Sequence, residues 1–457
     1  MPRIYLAGLI IFISGTFARA QNPKDLPLSK AWQLAFDTYP GLRQKKAQIG
    51  ETQVLKDIAS SDRLPQAQAQ LQNSIGTFAG STGAFIPLPG IFNVNSNKTI
   101  AGGSSTTTNF YGSVVADWNL IGFGKINNAV KAADAEVQQA KSSFDAYHLT
   151  LQARVTRQYF DVLYNQTNLS WAEDNAKRVK QILELSKSLA EAGLKPGADT
   201  SLAAATYLQI LAEKDSWKGK FGASKITLTE TVPLQPIDFT MPVKNYLQSN
   251  SDIPTENSVQ DTHPYLKVLE KQVQVSEARS KAAGSQALPT ISLIAGYSGR
   301  GSGISPDGLV SNDYTAGFNN MANNYLVGVG VTWNITGAYT SALQKKRFGQ
   351  QAQANKYGYD LEEKQLQTQL ASATARLTEQ ISQANKTQRA VLKGREAYEL
   401  YLSRYESGLI RLTELLQIQG ILQQAEKNNI DTHGQLWDQL INQAEISGNF
   451  NYLSTQF

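Results

Sequence analysis

The sequence predicts an all-α fold that carries a membrane β-barrel part, built from two tandem repeats. Three observations predict it. First, one construction occurs twice: an alternating strand, a turn, a very long polar helix and a Gly-Leu corner. Trp118 and Gly193 lie 75 residues apart, and so do Trp333 and Gly408, the mark of an internal duplication. Second, the strands alternate polar and apolar residues, yet no helix is apolar enough to cover their apolar faces. Third, the chain opens with an export signal.

That signal is Met1–Ala20. Arg3 supplies the positive start, Ile4 to Phe17 is an apolar run, and Ala18-Arg19-Ala20 has the small-x-small form cut by signal peptidase. The run is short for a spanning helix, so the mature chain is expected to start at Gln21, in a bacterial envelope. The 457 residues contain no Cys, which excludes disulfides, thiolate metal sites, Cys nucleophiles and N-terminal Cys acylation. The formal charge of +5 is spread without a Lys/Arg block, which argues against nucleic-acid binding. A hydrophobic content of 41% suits thin helical layers better than one thick core.

The first repeat spans 21–220. Leu28–Asp62 reads as helix, with Ser29 at its start and an interruption at Thr38–Leu42, because the residue before Pro40 avoids helical geometry. Residues 66–77 form the first strand: Gln66, Gln68, Gln70 and Gln72 share one face, Ala67, Ala69, Leu71 and Ile75 the other. A loop rich in Gly, Ser, Thr and Asn follows, over 78–109. Strand 110–120 sets Phe110, Gly112, Val114, Ala116, Trp118 and Leu120 against Tyr111, Ser113, Val115, Asp117 and Asn119. The helical hairpin occupies 125–220. Its first arm, Lys125–Ala192, has neither Pro nor Gly and as helix is about 100 Å long. Val137, Ala140, Phe144, Tyr147, Leu151, Val155, Tyr159 and Val162 make a narrow seam at spacings of three and four. The corner Gly193-Leu194-Lys195-Pro196-Gly197 ends that arm, and Asp199 is expected to cap the return helix.

Residues 221–259, with four prolines, read as a linker. The second repeat spans 260–446. Pro264 and Pro289 follow Pro40 and Pro65 at an offset of 224, while Trp333 follows Trp118 at 215. The nine-residue difference falls in the first polar loop, where length is tolerated. Strands 290–298 and 324–335 are expected, the latter directing Tyr325, Val327, Val329, Val331, Trp333 and Ile335 to one side. A hairpin over 341–445 follows, its first arm loosened by Gly349, Gly358 and Gly394. The tail 447–457 reads as frayed.

Four strands cannot close around a lumen, and open edges are excluded from a membrane. Several chains must therefore share a barrel, and three give twelve strands. In plan the chain resembles the TolC-type outer-membrane efflux family over nearly all of its mature length. The resemblance rests on the doubled helix–proline–strand–strand–long helix plan and on corners with an acid six residues after the Gly: Gly193-Leu194 with Asp199, Gly408-Leu409 with Glu414. It implies a homotrimer with a 12-stranded barrel in the outer membrane, continued by a 12-helix α-barrel in the periplasm. It also implies docking of the tips Gly193, Leu194, Gly408 and Leu409 on a periplasmic adaptor linked to an inner-membrane pump.

By the same resemblance Asp199, Arg411 and Glu414 belong near a pore constriction, with Arg411 available to pair with either acid. Where the family carries a further acid one turn on, this chain has Gln417. Trp118 and Trp333 are expected as anchors at the lipid–water interface. His148, His263 and His433 stand apart, which argues against a metal site. Gly299, Gly301 and Gly303 lack the following helix of a dinucleotide site. No constellation suits catalysis and no cofactor is expected. The function expected is a passive exit duct for efflux. The same architecture also serves type I protein secretion, and a periplasmic coiled-coil scaffold or a secreted enzyme are the competing classes.

Overall fold

The computed structural model describes residues 24–77, 100–233, 239–240, 243–247, 253, 258–260 and 262–457. The signal segment, most of the loop at 78–109 and much of the linker at 221–259 lie outside them. The elements, in chain order, are β1 (Lys24–Asp25), α1 (Leu28–Thr38), α2 (Pro40–Ser61), β2 (Gln66–Thr77), β3 (Gly102–Gly103), β4 (Thr106–Ile121), α3 (Lys125–Glu191) and α4 (Gly197–Leu228). Then follow β5 (Phe239–Thr240), α5 (Val243–Tyr246), α6 (Pro264–Ser285), β6 (Thr290–Ser302), β7 (Leu309–Val310), β8 (Ala322–Thr332), α7 (Ile335–Glu406), α8 (Leu412–Ser447) and α9 (Asn451–Gln456).

Two compact units emerge, and each draws on both repeats. One comprises Gln44–Ala146 and Pro264–Glu363. The other comprises Met1–Arg43, Tyr147–His263 and Lys364–Phe457.

The first unit holds an antiparallel sheet in the order β2-β4-β6-β8. Register settles which faces coincide. Ala67 lies opposite Ala116, Ala116 opposite Ala295, and Ala295 opposite Val327. Ala69, Val114, Tyr297 and Tyr325 form the next row, and Trp118, Leu293 and Val329 the row on the other side. Residues directly opposite share a face, so the four apolar stripes merge into one surface. Tyr325 is 85% exposed and Leu71 80%, so this surface is uncovered. The other face aligns Gln66 with Asp117 and Gln70 with Ser113, a polar and mostly uncharged lining. Outer strands β2 and β8 have no further strand partner among the described residues. No helix among them is long and apolar enough to cross a membrane.

Each repeat turns from helix to strand at a proline, and each turn is pinned by a tryptophan. The Trp118 indole N–H donates to the Arg63 carbonyl at 2.9 Å, and that of Trp333 to the Ala287 carbonyl at 3.0 Å. The accepting residue stands two before the proline in both repeats. The α1–α2 break is a single residue, Tyr39, extended at ψ 125°, and Pro40 fills the first helical position of α2, where its missing N–H costs nothing.

The second unit is helical. In its part of α3 the seam residues Leu151, Val155, Tyr159 and Val162 are buried and Tyr147 is half-buried; in the first unit's part Val137 is buried and Ala140 and Phe144 are half-buried.

Several expectations are corrected. The fourth strand stops at Thr332, so Trp333 and Ile335 lie beyond it, and Ile335 opens α7. The cause is Asn334, whose Oδ1 accepts the Gly337 N–H at 2.8 Å and so nucleates the helix early. Gly349, Gly358 and Gly394 do not interrupt α7, each costing only about 1 kcal/mol against its many turns. Helix α4 runs on to Leu228, into the segment read as linker. The tail is not frayed: Phe450, Leu453 and Phe457 are buried. Phe457 packs edge-on against Trp437 and Phe160, at 5.1 and 4.8 Å between ring centroids.

Candidate functional site

The site is the pair of helical corners that close the two hairpins. Both end in the same hydrogen-bonded form. The Gly193 N–H bonds the Ala190 carbonyl at 2.9 Å, and the Leu194 N–H the Leu189 carbonyl at 2.9 Å. The Gly408 N–H bonds Tyr405, and the Leu409 N–H bonds Arg404, at 3.0 and 2.9 Å. These are Schellman caps, and they need a left-handed residue: Gly193 has φ 72° and Gly408 φ 74°. In such caps the residue after the glycine commonly packs back on its helix. Here it does not, since Leu194 is 69% exposed and Leu409 75%.

The entries to the return helices differ. Helix α4 starts from Pro196 without a side-chain cap. Asp199 is not the cap expected; it sits in the first turn, its N–H bonded to the Pro196 carbonyl, where a carboxylate suits the positive helix end. Helix α8 starts from Arg411, whose backbone N–H is accepted by Glu414 Oε1 at 3.3 Å. Arginine has no acceptor, so only this half of a capping box exists.

Beneath the corners, Ile182, Ala203, Tyr398, Tyr405, Leu412, Leu415 and Leu422 form one buried core drawn from α3, α4, α7 and α8. It brings the two corners together. Lys195 Nζ donates to the Ile410 carbonyl at 3.2 Å and stands 5.7 Å from the centre of the Tyr405 ring. Burial, and after it the charge of Asp199, push the Tyr405 phenol up. Of the expected constriction residues, Arg411, Glu414 and Gln417 are exposed and Asp199 is half-buried. Within the chain no ion pair among the described residues joins Arg411 to Asp199 or Glu414.

Further along the same helices lies a buried ionic cluster that sequence reasoning missed. Arg178 of α3 grips Glu426 of α8 with two bonds, Nη1 to Oε1 at 3.2 Å and Nη2 to Oε2 at 2.5 Å. Arg395 of α7 approaches the same carboxylate at 3.5 Å. Nearby, Gln419 Nε2 donates to Asn175 Oδ1 at 2.5 Å. Arg178 and Glu426 are 248 residues apart, so no local pattern announces them. Lys195 and Tyr405 carried a weak signal, being next to the corners. Among the described residues no His, Asp or Glu cluster is suited to a metal ion.

A duplicated chain of long paired helices carrying a sheet with one exposed apolar face is an outer-membrane channel subunit in class. The chain belongs to the outer membrane efflux protein family, whose model matches residues 32–230 and 257–449, one segment per repeat. Its place is the outer membrane. Among solved structures it is similar to VceC of Vibrio cholerae, with 15% identity and a TM-score of 0.72, covering 93% of this chain and 97% of that one. CusC gives 16% identity and a TM-score of 0.72, over 95% and 96%. The open state of the Neisseria gonorrhoeae MtrE outer membrane channel gives 16% and 0.68, over 98% and 97%. These likenesses fix the fold as TolC-like. No curated protein sequence matches the chain.

Proposed function

We propose that three copies of this chain form the outer-membrane exit duct of a tripartite efflux system. The observation that carries this reading is a four-stranded sheet with one apolar face and two edges unpartnered among the described residues. In lipid, unpaired edge groups have no water to bond, so β8 of one chain must meet β2 of another. Three copies give twelve strands. The polar face then lines a water-filled lumen, and the hairpins continue it as a twelve-helix periplasmic tube. Trp118 and Trp333 mark the inner lipid–water boundary, where an amphipathic indole is favoured.

Leu194 and Leu409 are displayed for a periplasmic adaptor, which couples the duct to an inner-membrane pump. Arg411 faces Asp199 or Glu414 of a neighbouring subunit at the constriction, with Gln417 one turn above. Conduction is passive and involves no enzymatic step. VceC, CmeC and MtrE, described as outer membrane proteins or channels, support the reading by likeness of fold.

The test is the mass of the particle extracted from outer membranes in mild detergent, by light scattering after gel filtration. A particle about three times the 50.0 kDa chain, conducting ions in planar bilayers, is expected. A monomer or a non-conducting particle overturns the duct. Replacing Leu194 and Leu409 by Ser is expected to leave mass and conductance intact and to abolish efflux in cells; full efflux by that variant overturns the docking role.

A further inference from the structure

The Gly299-x-Gly301-x-Gly303 run has a structural role. Beyond β6 the chain doubles back, and residues 313–321 cross the ends of β2, β4 and β6 as a strap. Its seat is narrow. A methyl group built on Gly301 would stand 2.2 Å from the Gly317 carbonyl oxygen and 2.8 Å from Met321 Sδ. On Gly317 it would meet the Asn109 and Phe110 backbone at 3.2 Å. Only glycines let two backbones approach this closely.

The strap lies on the apolar face of the sheet. Gly301 pairs with Phe110, and Phe110 with Asn73, all in register with that face. Phe318 stacks on Phe110 with ring centroids 4.7 Å apart, and the Tyr314 carbonyl accepts from Asn73 Nδ2 at 3.4 Å. Several of the strap's polar groups are paired. The Ala316, Phe318 and Asn319 N–H groups bond Asp313, Thr315 and Ala316 at 3.0 Å each. Asp313 Oδ1 takes both the N–H and the hydroxyl of Thr315 at 2.9 Å. Fully buried Thr108 donates to the Asp313 carbonyl at 2.8 Å. The strap exposes Tyr314, Phe318 and Met321, interleaved with the polar residues Asp313, Thr315, Asn319 and Asn320.

Position along the strand identifies what covers this patch. Phe110 is eight residues from Trp118 on β4, about 27 Å of strand at 3.4 Å per residue. Tilted by about 40°, that is roughly 20 Å along the membrane normal, close to the height of a barrel's apolar band. Trp118 and Trp333 supply aromatics at the helix-side limit. At the far limit β4 presents Phe110, flanked by Gly112 of β4 and by Gly299 and Gly301 of β6. We propose that the strap completes an aromatic girdle there, with Tyr314, Phe318 and Met321 seated at the acyl–headgroup boundary of the outer leaflet. The patch is continuous with the lipid-facing surface of the sheet, so the proposal rests on the barrel reading.

The absence of native Cys gives a direct test. Single-cysteine variants Phe318→Cys and Tyr314→Cys each keep the other aromatic. Val329→Cys reports the middle of the apolar band, and Asp307→Cys the exposed loop. Each is labelled with a polarity-sensitive fluorophore and reconstituted in vesicles of three parts phosphatidylcholine to one of phosphatidylglycerol. Quenching by brominated acyl chains is compared with quenching by iodide. Labels at 318 and 314 are expected to follow 329, with several-fold stronger quenching by the brominated lipid, while 307 answers to iodide. Iodide quenching at 318 and 314 with lipid quenching at 329 overturns the strap proposal alone. Iodide quenching at 329 as well overturns the barrel reading. Protection of 318 and 314 from both quenchers makes the strap a contact between subunits and also overturns the proposal.

Discussion

Removing Glu426 should destabilise the helical unit far more than removing any exposed acid. Its side chain is 9% exposed, and that of Arg178 is 18%. Both terminal nitrogens of Arg178 are spent on this carboxylate, and its Nε has no hydrogen-bond partner. Glu426→Leu therefore strands a half-desolvated guanidinium with no acceptor. Breaking a buried pair from one side costs about 3–5 kcal/mol. Arg395, 58% exposed, can turn to water and adds little to that cost. For a unit of this size each kcal/mol lowers the midpoint by about 2–4 °C, so the variant should melt roughly 10 °C lower. The comparison is Asp174→Ala, whose partner Lys177 is 73% exposed; it should cost under about 1 kcal/mol.

The decisive variant is the double replacement Arg178→Met with Glu426→Leu. An apolar pair of similar volume often restores or exceeds the original stability, so the double variant should regain most of the loss. Melting followed by tryptophan fluorescence in mild detergent reads all three. The reasoning fails if Glu426→Leu melts no lower than Asp174→Ala, or if the double variant melts lower than Glu426→Leu.

Three further outcomes are expected. Phe457→Ala removes a ring packed on Trp437, Phe160 and Tyr159 and should cost about 3–5 kcal/mol, where a loose tail would cost nothing; thermal melting decides. Trp333→Phe keeps the aromatic body but loses the bond to the Ala287 carbonyl, worth about 1 kcal/mol; circular dichroism should show unchanged helix content with a slightly lower midpoint. His433 is fully buried, its Nδ1–H on the Asn429 carbonyl at 2.8 Å, and burial holds its pKa down. The unfolded chain therefore binds the proton more readily, so stability falls as pH drops below about 6.5 towards the folded value. Melting midpoints between about pH 7.5 and pH 5 should fall less in His433→Leu than in the native chain.

What could be read from the sequence was what local chemistry writes twice. Period-two alternation marked β2, β4, β6 and β8 because each carries its own two faces. Gly193 and Gly408 marked the corners because a left-handed cap admits little else. Where a signal was local but ambiguous, the reading slipped. Trp333 and Ile335 continue the alternation of β8, yet the Asn334 carboxamide caps a helix at Gly337 and overrides it. Asp199 has the residue type of a cap, but Pro196 already fixes the entry and leaves it inside the first turn. The tail read as frayed because composition cannot see Trp32 waiting for Phe450, or Trp437 and Phe160 for Phe457. Contacts made once were silent altogether: the strand register, the Lys195 bond between corners, the grip of Arg178 on Glu426, and the strap on Gly301. A duplication lets one half vouch for the other, so the shared plan is legible. The two corners then diverge, one entered from Pro196 and the other from Arg411 with Glu414. The features that distinguish one hairpin from the other thus lie where the repeats no longer agree, and there only tertiary contacts carry the information.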